Sequence, residues 1–285
     1  MDLCNIHEIK ALLERHGFHF SKAKGQNFLT QGWVPQEIVR SAGIDAGCGV
    51  LEVGPGIGPL TQELCRNAKK VVAVEIDSSL QPILAETMAG NENLEIIFGD
   101  ILKTDIAKLV SEEFSGLRPM ACANLPYYIT TPVLAALLEA KCFESVTVMV
   151  QKEVAQRICA PAGSAEYGAF SVFCQYYAEH EIRFDVPPNC FIPQPKVTSA
   201  VLNLRLRSEP PCEITDEALF FRVVRAAFAQ RRKTLTNALS AGFPSLSKAR
   251  LAELLADCNL APTVRGETLD IPAFAALANR IAQEL

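Results

Sequence analysis

"GVLEVGPGIGPLTQELCRNA", residues 49–68, decides the fold. It opens on a short apolar run, passes glycines at 54, 56 and 58, and then repeats apolar residues at helical spacing. A strand, a tight glycine loop and a helix in that order make the first unit of an α/β fold. Downstream, "KVVAVEI" (70–76), "LEIIFG" (94–99), "MACAN" (120–124) and "SVTVMVQ" (145–151) read as strands. "SSLQPILAETMA", a short segment near 105–113, "TPVLAALLEA" and "KEVAQRIC" read as the helices that follow them. Two more strands fit near 180–186 and 200–206. Upstream lie an amphipathic helix over 5–16, the polar loop "SKAKGQNFLT" (21–30), and a short helix "VPQEIVRSA" with Pro35 in its first turn. This alternation predicts a mostly parallel, Rossmann-like sheet with helices on both faces, whose ligands sit at the carboxyl ends of the strands.

Near 207–213, "RSEPPCE" reads as a linker. Beyond it the pattern is helical only, at roughly 215–229, 233–240, 247–256 and 270–283. The expected organisation is an α/β domain over 1–208 and a small all-helical domain over 209–285.

Composition bounds the function classes. The chain has 285 residues, 49% of them hydrophobic, and a net charge of −5, which gives no global sign of nucleic-acid binding. None of the ten cysteines stands in a C-x-x-C spacing, and no H-E-x-x-H occurs, so neither a metal site nor a disulfide framework is expected. The start, "MDLCNIHEIK", has no apolar signal region. Residues 119–138 carry no charge, but three prolines and Asn124 inside the run argue against a membrane span. A cytoplasmic protein in a reducing compartment, with no membrane partner, is expected.

The glycine loop is not a dinucleotide fingerprint, because position 59, where G-x-G-x-x-G needs its third glycine, is proline. No G-x-x-x-x-G-K-[ST] exists. Glu52, just before the loop, suits a cationic ligand better than a pyrophosphate. Glu75, 21 residues after Gly54, is placed to grip ribose hydroxyls, and Asp100 to accept from an exocyclic amine. Acids at three successive strand ends fit S-adenosylmethionine, an adenosyl group joined to a sulfonium. A plain glycine turn with helix-capping acids is the alternative reading.

"NLPYYITTP" (124–132) leaves the fourth strand at its carboxyl end. The lone pair of a base's exocyclic amine is delocalised into the ring. Two acceptors that take the amine hydrogens turn that lone pair toward an electrophilic methyl. The Asn124 side-chain oxygen and the Leu125 carbonyl, held by Pro126, supply this geometry, and Tyr127 can stack on the base. The alternative is that Asn124 caps a helix and Pro126 shapes a loop.

With these blocks in hand, the chain resembles the ribosomal RNA adenine N6,N6-dimethyltransferases, closest to the bacterial small-subunit branch. The resemblance runs in order through "GQNFL" (25–29), "EVGPGIGPLT" (52–61), "NLPYYITTP", "QKEVAQRI" (151–158), "YGAFSVFCQYY" (167–177), "VPPNCFIPQPKVTSAV" (186–201) and "AFAQRRKTLTNAL" (227–239). It implies a class I methyltransferase domain using S-adenosylmethionine. Gln26, Asn27 and Leu29 would close over the methionine part, which Gly54 and Gly56 would approach. Glu75 and Ile76 would hold the ribose and adenosine side, and Asp100 and Ile101 the cofactor's adenine, with Asn124 beside the methyl. Asn124 and Leu125 would orient the target amine, and Tyr127 and Phe191 would sandwich the target adenine. The implied product is N6,N6-dimethyladenosine at two adjacent adenosines in a hairpin loop near the 3′ end of small-subunit (16S) rRNA, with a role in subunit biogenesis. The implied partner is the small ribosomal subunit, and a monomer is expected.

Between Ala218 and Ala252 there are seven basic residues and no acidic one. Arg222, Arg225, Arg231, Arg232 and Lys233 read as a phosphate-binding surface, with Lys22, Lys24 and Lys196 framing the site. A solvated helix face is the alternative. Two other functions compete: a ribosome-assembly or nucleic-acid-binding factor with little turnover, and a DNA adenine N6-methyltransferase. Intact Glu75, Asp100 and "NLPY" favour catalysis, and the C-terminal helices with "FIPQPKVTSAV" disfavour DNA.

Overall fold

The computed structural model describes residues 1–20 and 25–285. Helix α1 (Ile6–Arg15) is capped by Asn5, whose side chain accepts from the His7 and Glu8 amides. A two-residue strand β1 (Phe28–Leu29) precedes α2 (Trp33–Ala42), which ends at Gly43 in the left-handed conformation. Then β2 (Cys48–Val53), α3 (Pro59–Asn67), β3 (Lys70–Glu75), α4 (Gln81–Thr87), β4 (Leu94–Phe98), α5 (Ile106–Glu113), β5 (Arg118–Asn124), α6 (Thr130–Glu139), β6 (Ser145–Gln151) and α7 (Lys152–Ile158) alternate as the sequence predicts. Next come α8 (Ala169–Tyr177), β7 (Ala178–Val186), β8 (Phe191–Ile192) and β9 (Ser199–Leu206). Helices α9 (Glu217–Ala229), α10 (Leu235–Gly242), α11 (Lys248–Asp257) and α12 (Ile271–Ala282) close the chain.

Seven strands form one sheet in the order β4-β3-β2-β5-β6-β9-β7. Strands β2 to β6 pair in parallel, and β9 lies antiparallel to β6. All six residues of β2 are buried, as a central parallel strand covered on both faces requires. One core joins Val34, Ile38 and Val39 of α2 and Leu60 and Leu64 of α3 to Val50, Val71, Met120 and Met149 of the sheet. Each such buried aliphatic side chain contributes about 1.5–3 kcal/mol relative to exposure. A second core gathers Ile9, Leu12 and Leu13 of α1 with Phe28, Ile57, Ile83 and Leu84.

From β2 the chain proceeds to β3 and β4 on one side, then returns to β5 on the other side of β2. That reversal opens a crevice beyond the carboxyl ends of β2 and β5, where open α/β sheets bind ligands.

The chain divides into two compact units, residues 1–155 with 180–206, and residues 156–179 with 207–285. The helical unit thus includes α8, a segment that the reading of a break at 208/209 leaves in the α/β part. Within that unit Gln175 Nε2 donates to the Ile158 and Ala160 carbonyls, and the Tyr176 and Tyr177 hydroxyls both donate to Glu217. Tyr176 and Tyr177 are buried.

Candidate active site

Beyond the ends of β2, β3, β4 and β5 lies a cavity with about 1030 Å³ of empty space out to its open mouth. Gln26, Asn27, Leu29, Gly54, Gly56, Glu75, Ile76, Asp100, Ile101, Asn124, Leu125, Pro126 and Tyr127 all line it. Residues far apart in the chain meet there because parallel register sets each strand end beside the next.

Gly56 sits at φ +62°, and a Cβ there would meet the Phe28 ring at 3.2 Å, so only glycine lets the loop turn this tightly. Its amide donates to Glu75 Oε2 at 3.3 Å, and the Asp77 amide donates to Oε1 at 2.8 Å. Burial pushes the Glu75 carboxyl above its usual range, against the pull of these amides. A carboxylate offers about four acceptor sites, so Glu75 keeps room for hydroxyl donors. Asp77, buried beside it, accepts from Gln26 Nε2 at 2.7 Å and from Ser79 Oγ at 2.6 Å. It thereby ties the "GQNFL" loop to the end of β3. Reading "VEID" from sequence singles out Glu75 and misses Asp77. An acid two residues beyond a strand-end acid, before "SSL", is the signal for it.

Asp100 Oδ1 accepts from the Leu102 amide at 3.0 Å, while among the described residues Oδ2 meets only the Lys103 ammonium, 3.9 Å away. Ile76 is 57% exposed at the cavity mouth, an apolar face offered to solvent.

Glu52 differs from the other acids. It is 1% exposed, and burial pushes its carboxyl up to about 8. Thr61 favours the ionised form, yet Thr61 Oγ1 and Glu52 Oε2 both lie buried without a hydrogen-bond partner among the described residues. Glu75 raises the Glu52 pKa further. An orphaned acid beside a cavity is costly unless a ligand answers it, and a cation is the ligand that fits. The donor set at the strand ends and this orphan therefore fit a cofactor that joins hydroxyls, an amine and a positive centre.

At the end of β5, Asn124 Nδ2 donates to the Asn27 carbonyl at 3.3 Å. This fixes the amide with its Oδ1 free of partners among the described residues. The Leu125 amide donates to the Met149 carbonyl at 3.1 Å, which anchors the loop to β6. Tyr127 is half-buried and its hydroxyl shares a 2.7 Å hydrogen bond with Ser199, a partner the sequence reading did not single out.

Phe191 is placed otherwise than a face of the adenine sandwich requires. It is 3% exposed, pairs with Leu29 across the β1–β8 ladder, belongs to the core around α2, and does not line the cavity. The short ladder holds it there.

Of the basic residues read as RNA-binding, Lys22 and Lys24 lie outside the described residues. Lys196, Arg225, Arg232 and Lys233 are exposed. Two others are engaged within the helical unit. Arg231 Nε donates to Glu267 at 2.7 Å, and its Nη2 donates to the Ser164 and Ala165 carbonyls. Arg222 donates to the Gly242 carbonyl at 2.8 Å and lies over the Phe243 ring, 4.4 Å from its centroid. Both therefore carry contacts within the helical unit, although each is exposed.

All ten cysteines are free, and burial raises those with shifted thiols, Cys65 to about 12, so none is an activated nucleophile. Among the described residues no cluster of three or more His, Cys, Asp or Glu side chains is placed to hold a metal ion. No helix among them is long and apolar enough to cross a membrane.

A family model described as ribosomal RNA adenine dimethylase matches residues 17–276. The chain is 46% identical over 284 residues to "Ribosomal RNA small subunit methyltransferase A" of Geobacillus thermodenitrificans, covering 98% of this chain and 97% of that one. It is 48% identical to the protein of the same name from Bacillus mycoides, covering 98% and 97%. Among solved structures it is similar to a dimethyladenosine transferase from Plasmodium falciparum, with a TM-score of 0.76 at 25% identity over 90% of this chain and 98% of that one. It is also similar to the 23S rRNA methyltransferase ErmE, with a TM-score of 0.65 at 26% identity over 90% and 100%.

Proposed function

Since the chain belongs to the ribosomal RNA adenine dimethylase family and is a methyltransferase, we propose that it methylates N6 of two adjacent adenosines in a hairpin loop near the 3′ end of small-subunit (16S) rRNA, with S-adenosylmethionine as donor. The product is N6,N6-dimethyladenosine at both positions, made during small-subunit biogenesis in the cytoplasm. The observation that carries the reading is Asn124, whose Nδ2 is held by Asn27 and whose Oδ1 has no partner among the described residues at the cavity wall.

The bound cofactor supplies an electrophilic methyl group on a sulfonium. Glu75 would accept from its ribose hydroxyls, Asp100 Oδ2 from its adenine amine, and Ile76 and Ile101 would pack on the adenosine side. Gln26, Asn27 and Leu29 would cover the methionine part against the glycine loop at Gly54 and Gly56. Glu52, neutral when buried alone, gains a reason to ionise beside a positive centre.

Asn124 Oδ1 and the Leu125 carbonyl accept the target amine's hydrogens and turn its lone pair out of conjugation. Pro126 fixes the turn and Tyr127, braced by Ser199, stacks on the adenine. "NLPY" contains no strong base, so catalysis here is positioning and fixed dipoles. A loop adenosine is cheap to extrude, which suits a site that must reach a base amine. For Phe191 to form the second face of the sandwich, its ring has to be uncovered as RNA binds. Arg225, Arg232, Lys233 and Lys196 supply free cations for phosphates.

The test is to incubate the protein with labelled S-adenosylmethionine and unmethylated small subunits, then map the modified nucleosides. Label in N6,N6-dimethyladenosine at two neighbouring positions is expected. Tight subunit binding without label would favour the assembly-factor reading.

A further inference from the structure

Tyr128 has no part in the chemistry above, and its setting calls for one. Its side chain is 59% exposed, although the preceding Tyr127 is half-buried and braced. An aromatic ring left this open gains little from folding. Its hydroxyl has no hydrogen-bond partner among the described residues.

The ring is nevertheless held. It stands on a single 3₁₀ turn, Tyr127–Ile129, closed by the Ile129 amide donating to the Pro126 carbonyl at 3.1 Å. Thr130 Oγ1 donates to the same carbonyl at 3.3 Å. Gly25 backs the ring: a Cβ there would come within 3.0 Å of Cδ1 and 3.2 Å of Cε1, and Gly25 has φ +58°. Glycine at 25 therefore lets the cofactor loop lie directly against Tyr128. Both residues line the cavity mouth, as does exposed Ile76. Two consecutive tyrosines thus stand at one opening, one inside and one at the rim.

We infer that Tyr128 is a positioning residue: a stacking platform for the nucleotide next to the adenosine held at Asn124. The inference rests on the proposed function, since it needs RNA at this mouth. A base drawn into the cavity leaves its chain neighbour unstacked on one side. An aromatic ring at the rim replaces that lost stack, and it does so for any base because every base has a π-face. The substrate has two adjacent adenosines, so the neighbour of one target is the other target. Tyr127 and Tyr128 present rings at the spacing of consecutive residues, one to each base. The rival role for an exposed ring at a cofactor cavity is a cover over the cofactor, and the two roles separate experimentally.

The experiment compares wild type, Tyr128→Ala and Tyr128→Phe on unmethylated small subunits, with calorimetry of S-adenosylmethionine binding and thermal unfolding alongside. The platform role predicts that Tyr128→Ala lowers kcat/KM for subunits by about 5- to 150-fold, the range of one base–aromatic stack. It should weaken subunit binding by a similar factor, leave the cofactor's Kd within about twofold, and unfold at the wild-type temperature. Tyr128→Phe, which keeps the ring, should stay within about twofold of wild type throughout. Unchanged kcat/KM in Tyr128→Ala overturns the inference. A weakened cofactor Kd with unchanged subunit binding also overturns it, in favour of a cover. If wild type itself leaves the subunits unmethylated, the proposed function fails, which is read from the wild type alone.

Discussion

The strand-end cavity and the basic strip on the helical unit relate to the fold in different ways. In the cavity Glu52, Glu75 and Asn124 lie in the last residues of parallel strands, and parallel register pins them. Glu52 lies opposite Ala73 and Cys122, and Asn124 lies opposite Met149. Side chains in such places have their positions set by the backbone ladder before any ligand arrives. The strip is set by nothing of the kind. Arg222, Arg231, Lys248 and Arg250 all donate within the unit, to Gly242, Glu267, Asn237 and Glu284 respectively. Arg225, Arg232 and Lys233 make no side-chain ion pair or hydrogen bond among the described residues. A run of cations therefore overstates an interface, because several hold the domain together. Acids at strand ends understate a site, because supporting groups such as Asp77 lie just beyond them.

The sharpest way to break this contrast is at Asn124. Asn124→Ala removes one of the two acceptors proposed for the target amine, and we expect kcat to fall about 10²- to 10³-fold. Single-turnover methylation of small subunits measures it. A rate near wild type would mean that strand-end geometry does not orient the amine.

The next effect concerns stability. Glu52 carries a folded-state pKa raised from 4.5 to about 8. The folded protein then holds a proton that the unfolded chain releases, so this contribution is full below pH 4.5 and is lost as pH rises toward 8. Glu52→Gln removes that dependence, so without cofactor it should be more stable than wild type near pH 8, by on the order of a few kcal/mol. Its affinity for the cationic cofactor should drop. Urea unfolding across about pH 5–8 tests this, and parallel wild-type and mutant curves would show that Glu52 is not a buried neutral acid.

A smaller effect sharpens the reading of the strip. Arg231→Ala loses a carboxylate and two carbonyl partners, and we expect its Tm to fall by roughly 2–8 °C. Arg232→Ala, next in the chain, should leave Tm unchanged within about 1 °C. Equal behaviour of the two would erase the division between structural and free cations.

Much of the fold was legible because strands covered on both faces read as apolar runs, as "VLEV" and "VVAV" do. The placing of the glycine loop and "NLPY" at the cavity was legible because both follow strands at their carboxyl ends. The grouping of α8 with the C-terminal helices was not, since "KEVAQRIC" and "YGAFSVFCQYY" follow a strand just as earlier helices do. Only their partners differ, Glu217 for the tyrosines above all. The burial of Phe191 was hidden too, because the β1–β8 ladder is two residues long and leaves no periodic trace. Which arginines are free was beyond sequence, since Arg231 and Glu267 lie 36 residues apart.

The most direct test of separately held cofactor and RNA surfaces crosses two variants with two ligands. Glu75→Ala and the triple variant Arg225→Ala, Arg232→Ala, Lys233→Ala are each titrated with S-adenosylmethionine by calorimetry and with small subunits across a salt series. Glu75→Ala should weaken the cofactor by about 1–3 kcal/mol and keep the subunit salt slope. The triple variant should keep cofactor affinity, weaken subunit binding, and flatten the log–log salt slope by roughly 0.7–0.9 for each phosphate that no longer meets a cation. Parallel salt curves for wild type and triple variant, or a cofactor loss in the triple variant matching that of Glu75→Ala, would contradict the account.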